Sequence, residues 1–134
     1  IAVKRMGIRG MVIDPYNYIE LDRSNSTETE AISLMLTKIQ KFCKAHEVHV
    51  WFIAHPSKIQ RSGVEQPRPD GMSISGSMAW WAKTDCGITV HRGDGAEVEI
   101  AVWKCRYRWV GTQGETTLLY NKTSGTYEEN LDHF

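Results

Sequence analysis

Three apolar residues, Met11, Val12 and Ile13, run directly into Asp14 and Pro15. This predicts a short strand that breaks at the proline, whose ring removes a backbone donor and disfavours helix in the residue before it. In the polar stretch LDRSNSTETE that follows, Thr27 and Glu30 have the spacing of a capping box. Ile32, Met35, Leu36, Ile39, Phe42 and Cys43 then recur at intervals of three and four, which predicts an amphipathic helix over 28–46. VHVWFIAH is β-rich and almost continuously apolar, the pattern of a strand buried on both faces, and it ends on His55 before Pro56. A strand, a helix long enough for a crossover and a second strand predict a parallel pair joined with right-handed connectivity.

The next segment, PSKIQRSGVEQPRPDG, is rich in proline, glycine and charge, and predicts an exposed, mobile loop. MSISGSMAWWAKTD predicts a shorter helix from Gly76 to Lys83, leading into CGITVHR as a third parallel strand. AEVEIAVWKCRYRW and GETTLLYNKTSGTYEE alternate in polarity and contain glycine turns, which predicts an antiparallel extension. No repeat or linker divides the chain. The expectation is a single α/β domain over 1–134, with a mixed sheet of parallel strands and an antiparallel C-terminal extension.

Composition changes this picture in three respects. A length of 134 residues, 41% of them hydrophobic, suits one globular domain with a real core. Sixteen basic residues balance sixteen acidic ones, so nucleic-acid binding would have to come from a local basic patch. The three cysteines, Cys43, Cys86 and Cys105, are odd in number and widely spaced, which suits free thiols in a reducing compartment. No apolar run approaches the roughly 20 residues needed to span a bilayer as a helix, and the first residues lack a signal-peptide pattern. A soluble intracellular protein with no membrane partner is expected.

Candidate chemistry gathers at strand ends. In open α/β sheets ligands bind beyond the carboxyl ends of the parallel strands, where Asp14 and His55 should face one crevice. A carboxylate there can hold Mg²⁺, often through water, while phosphates supply the remaining oxygens; aspartate in that position also caps turns. His55 is either an ordinary loop residue or a donor to a terminal phosphate. In WKCRYR, alternation places Lys104, Arg106 and Arg108 on one side of the chain. Such cations either solvate an edge strand or meet an anion, for instance charge developing on a transferred phosphoryl group. Cys43, His46 and His49 lack a fourth ligand nearby, so no zinc site is expected. Adjacent Trp80 and Trp81 read as one core and one interface residue rather than a base-stacking platform.

Asp14 in MVIDPYN, His55 in FIAHPSK, the run SISGSMAWWAKTDCGITVHR and the closing KCRYRWVGTQGETTLLYNKTSG follow one another as in the RecA-like ATPase of replicative helicases. The chain most resembles the phage primase-helicase and mitochondrial Twinkle branch, with bacterial DnaB more distant, from about residue 8 to 129. The most specific part is the tail, K-x-R followed by a glycine turn and then YNK. The resemblance implies that Asp14 is the Walker B aspartate that holds Mg²⁺ and that His55 senses the γ-phosphate. It implies that Lys104 and Arg106 are a piston lysine and an arginine finger acting on the neighbouring subunit's nucleotide, with Arg108 as the fallback. Arg92 and Tyr120 match positions that sandwich adenine. Lys58 and Arg61, with Ser75, Gly76 and Ser77, match segments that line a central channel and contact single-stranded DNA.

The P-loop signature, G-x-x-x-x-G-K followed by Ser or Thr, is absent from the chain, as is the region carrying the family's catalytic glutamate. The chain also starts without an initiator methionine. The expectation is therefore a partial RecA-like (P-loop NTPase) core lacking its P-loop half: the C-terminal part of a hexameric, ATP-dependent, 5′-to-3′ DNA helicase. Mg²⁺ and ATP would serve the intact enzyme, with neither bound to this fragment, which alone should be inactive. Partners would be single-stranded DNA and neighbouring subunits of a homohexameric ring. The expected compartment is the cytoplasm of a bacterium or phage-infected host, with the mitochondrial matrix ranked second. The alternative from another class is a non-catalytic RecA-like module for oligomerisation or single-strand binding.

Overall fold

The computed structural model describes residues 2–21, 26–57, 68–93 and 95–129, which form two compact units. The first comprises described residues up to 57 together with 72–83, and the second comprises 68–71 and the described residues from 84 onward.

In the first unit, strand β1 (Gly10–Ile13) pairs in parallel with β2 (His49–Phe52), from Gly10 opposite His49 to Ile13 opposite Phe52. A five-residue helix, α1 (Ala2–Met6), precedes them; it is too short for an apolar stripe, so the sequence pattern does not predict it. The crossover is α2 (Glu28–His46), with the predicted bounds. Its N-terminus carries the predicted capping box: Glu30 N–H donates to Thr27 Oγ1, and Thr27 N–H donates to Glu30 Oε2 at 2.9 Å. These bonds hold the Glu30 carboxyl below its ordinary range, the backbone bond from Thr27 first and its hydroxyl second. The helix ends at Glu47, in the left-handed region with φ 53°.

A depressed carboxylate pKa adds stability above its unfolded value, and that stability is lost as pH falls through the folded value. Thr27→Ala is therefore expected to cost about 1 kcal/mol at neutral pH. It should also remove part of the acid-induced loss below the ordinary glutamate range. Urea unfolding of both chains at neutral and acid pH checks this, and an unchanged midpoint would argue against the box.

The core of this unit joins α2 to α3 (Ser77–Lys83) and to the segment after β1. Ile32 and Leu36 meet Tyr16, Ala79 and Trp80, with Phe52 and Ala54 packed against them. Burying such side chains contributes about 1.5–3 kcal/mol each. The far end of the α2 stripe is less covered, and Phe42, 37% exposed, stacks on His46 instead. Gly76 has φ 71°, and a Cβ there would run into Ile32 Cδ1, so this turn needs glycine for both conformation and space.

One expectation for β2 fails. Its positions alternate between exposed and half-buried, and Trp51 (50% exposed) and neighbouring Val12 (62%) face away from the core. Only one face of the parallel pair is covered by described residues. The continuous apolar run shows what the strand can bury on each side, not what lies against it.

The second unit is a four-stranded antiparallel sheet in chain order: β3 (Cys86–Arg92), β4 (Glu97–Cys105), β5 (Gly114–Asn121) and β6 (Thr126–Glu129). The predicted antiparallel tail is present. Parallel and antiparallel strands lie in separate sheets among the described residues, and β3 pairs antiparallel with β4 rather than continuing the parallel set. The β3–β4 connection is too short for a crossover, so it can only make a hairpin. The register shifts by one residue at a bulge: Gly87 faces Lys104, but Ile88 faces Val102, with Trp103 between them on β4. The Trp103 indole covers Gly71 and Gly87, where any Cβ would collide with it. The β5–β6 turn is organised by Asn121, whose Oδ1 accepts from the Thr123 and Ser124 N–H groups, and it closes on Gly125 at φ 73°.

Candidate nucleotide site

Beyond the ends of β1 and β2 the ladder continues for one more step. Ile53 N–H donates to Ile13 O at 2.8 Å, and Tyr16 N–H then donates to Ile53 O at 3.0 Å. Asp14 and His55 thus leave the carboxyl ends of two adjacent parallel strands, and both residues are exposed. Adjacent strands lie about 4.8 Å apart, so the two groups share one end of one sheet. The Asp14–Pro15 peptide is cis. Tyr16 anchors the exit from β1: it is 5% exposed, and its ring meets the Trp80 edge at a centroid distance of 4.8 Å.

Among the described residues no group of three or more His, Cys, Asp or Glu side chains is placed to hold a metal on its own. Mg²⁺ keeps several waters and takes one or two carboxylates plus phosphate oxygens, so a single exposed strand-end carboxylate fits that mode. His46 and His49 stack on Phe42 and Trp51 respectively.

Ser75, Gly76 and Ser77 form the turn into α3. The Ser75 carbonyl accepts from Trp80 Nε1 at 3.0 Å, and the Gly76 carbonyl accepts from Ala79 N–H at 2.9 Å. Two backbone acceptors of this segment are therefore committed to holding the short helix. Trp80 is 3% exposed and belongs to the core, whereas Trp81 is 37% exposed. Lys58 and Arg61 lie outside the described residues.

In the second unit β4 ends at Cys105, so Lys104 is on the strand, Arg106 is one step beyond it, and Arg108 is in the turn over 108–110. The expected single row of three cations therefore stops after Arg106, because the chain turns there; Val110 N–H donates to Tyr107 O at 3.0 Å. Arg106 is held at three points: its N–H donates to Asp85 O at 2.8 Å, its Nη2 to Thr84 O at 3.2 Å, and its Nε pairs with Asp85 Oδ1 at 2.7 Å. Partial burial, followed by the charge of Arg106, pushes the Lys104 ammonium below the ordinary lysine value, and Asp85 partly offsets this. Sequence reasoning does not find Asp85. Its role depends on β3–β4 register, for which linear spacing offers no signal.

Arg92 and Tyr120 are brought together across β4. The Arg92 guanidinium carbon lies 4.8 Å from the Tyr120 ring centroid, and Tyr120 also meets Tyr127 at 5.3 Å. A cation over an aromatic face is a planar, stackable surface of the kind that receives a base.

No protein-family model matches the chain. Among solved structures, the ATPase domain of a DnaB-like helicase shares the fold, with a TM-score of 0.72 and 21% identity over 90% of this chain and 44% of that one. The fold is thus that of part of an α/β ATPase domain of the RecA-like class. In sequence, "Twinkle homolog protein, chloroplastic/mitochondrial" of Arabidopsis thaliana is 43% identical over 135 residues, which cover 96% of this chain and 19% of that protein. The resemblance carried by the motifs holds: the chain is similar to a portion of a Twinkle-type helicase and has a partial RecA-like core. It spans less than half the length of either relative.

Proposed function

We propose that this chain is the C-terminal part of the ATPase domain of a hexameric, ATP-dependent, 5′-to-3′ DNA helicase. The observation that supports this best is the parallel pairing of β1 with β2, which sets Asp14 and His55 at one end of one sheet. In this reading Asp14 holds Mg²⁺ on the nucleotide side, where the ion would neutralise phosphate charge. His55 contributes a ring N–H directed at the terminal phosphate and reports whether that phosphate is present. Lys104 and Arg106 serve the nucleotide of a neighbouring subunit, with Arg106 stabilising charge that develops on the transferred group. Arg92 and Tyr120 receive the adenine. Lys58 and Arg61, with the turn over 75–77, face single-stranded DNA. The phosphate-cradling loop would come from another stretch of the parent protein. The cytoplasm of a bacterium or phage-infected host remains the proposed compartment; an organellar targeting segment encoded upstream would replace it.

The test compares the isolated chain with the longer parent. The chain alone should show no ATP turnover, while the parent hydrolyses ATP and is stimulated by single-stranded DNA. Metal-dependent turnover by the chain alone would overturn the fragment reading. A parent without a P-loop that still binds single strands would favour the non-catalytic module.

A further inference from the structure

The antiparallel register of β3 and β4 places Cys86 opposite Cys105. One step further out, Arg106 N–H donates to Asp85 O, which makes residues 85 and 106 a hydrogen-bonded pair. Pairs in an antiparallel ladder alternate, so Cys86 and Cys105 occupy a non-hydrogen-bonded pair. There the Cα atoms lie about 4.5 Å apart and the side chains approach most closely. That spacing lies inside the roughly 4.4–6.8 Å Cα window of disulfides, at its tight end, where the bond is strained and easily reduced. Both thiols are free; Cys86 is exposed and Cys105 half-buried. The Cys86 thiol is held above its ordinary value by burial first and by Cys105 second, so the two groups lie within electrostatic reach. Cys43 belongs to α2 in the other unit.

We infer that Cys86 and Cys105 form a reversible dithiol site, oxidised by small-molecule disulfides, whose closure staples the end of β4 beside Lys104 and Arg106. One thiolate attacks the reagent's S–S bond and releases one thiol, leaving a mixed disulfide. The second cysteine then attacks the mixed disulfide and releases the other thiol. Two protons and two electrons pass to the reagent, whose S–S bond breaks as the Cys86–Cys105 bond forms. The closed form ties together the two strand ends that also hold Asp85 against Arg106. The disulfide itself is independent of the helicase reading, whereas its effect on hydrolysis rests on that reading of Arg106.

Incubation of the chain with oxidised glutathione, followed by mass analysis without reductant, tests the site. Two of the three thiols should be lost, and tryptic digestion should yield the peptide 84–92 linked to 105–106. Cys43→Ser should behave alike, and Cys86→Ser should stop at a glutathione adduct. Exchange of the Arg106 backbone N–H should slow by about tenfold on oxidation and recover with reductant, as local opening is suppressed. Persistent glutathione adducts on the unaltered chain, or linkage through Cys43 or between chains, would overturn the site. Closure without slowed exchange would overturn the staple. A closed disulfide in a parent whose hydrolysis ignores Arg106 would leave the site standing and remove the helicase role of that arginine.

Discussion

Alanine at Arg106 in the full-length parent is expected to abolish DNA-stimulated ATP hydrolysis, lowering it by about 10³-fold or more while nucleotide still binds. The size follows from what the group would do. A guanidinium aimed at the transferred phosphoryl acts only where charge develops, so its loss falls on turnover rather than on affinity. In the present arrangement the same guanidinium pairs with Asp85, and the two side chains are 37% and 50% exposed. Such a solvated pair contributes about 0–1 kcal/mol, little enough for the arginine to exchange Asp85 for a phosphate. Lysine should not rescue the function, because the Nε contact to Asp85 and the Nη2 contact to Thr84 use a fork that an ammonium lacks. Mixing Arg106→Ala subunits with Asp14→Ala subunits should restore part of the activity, since some interfaces then combine an intact Asp14 with an intact Arg106. Steady-state hydrolysis by the single variant and by mixed rings measures both effects. Undiminished turnover would remove Arg106 from the site, and no recovery in rings shown to be mixed would remove its action in trans.

Trp80→Ala is expected to have the largest effect on stability, about 3–5 kcal/mol, a large share of the 5–15 kcal/mol that holds an ordinary domain together. The indole is 3% exposed, and its ring meets Tyr16 at 4.8 Å and Phe52 at 5.3 Å, both in edge-on geometry. Its N–H also satisfies the Ser75 carbonyl. Truncation would therefore open a cavity between α2, α3 and the exit from β1, and leave a carbonyl without that donor. Trp81→Ala, at a position 37% exposed, should cost well under half as much. Denaturant unfolding of the two variants makes the comparison, and equal losses would contradict the assignment of Trp80 to the core. Because Tyr16 follows Asp14 so closely, the Trp80 variant should also loosen the strand end that carries the proposed magnesium carboxylate.

The sequence alone determined the elements whose information is local. Helix α2 is legible because Thr27, Glu30 and the three-and-four apolar spacing all act within a turn or two of one another. The shared strand end of Asp14 and His55 is legible because a crossover helix between two strands leaves parallel pairing as the natural outcome. Apolarity could not show that β2 is covered on one face only, since hydrophobicity states a capacity for burial and not the presence of a neighbour. Nor could it assign β3 to the antiparallel sheet, because the choice of partner depends on the short connection to β4. Tertiary structure alone decided that Asp85 meets Arg106 and that Cys86 faces Cys105. Both follow from a register that shifts at Gly87, where Trp103 lies over two glycines distant from it in the chain. A one-residue slip in pairing exchanges every side chain between faces, and only packing across the whole sheet selects one register from its neighbours.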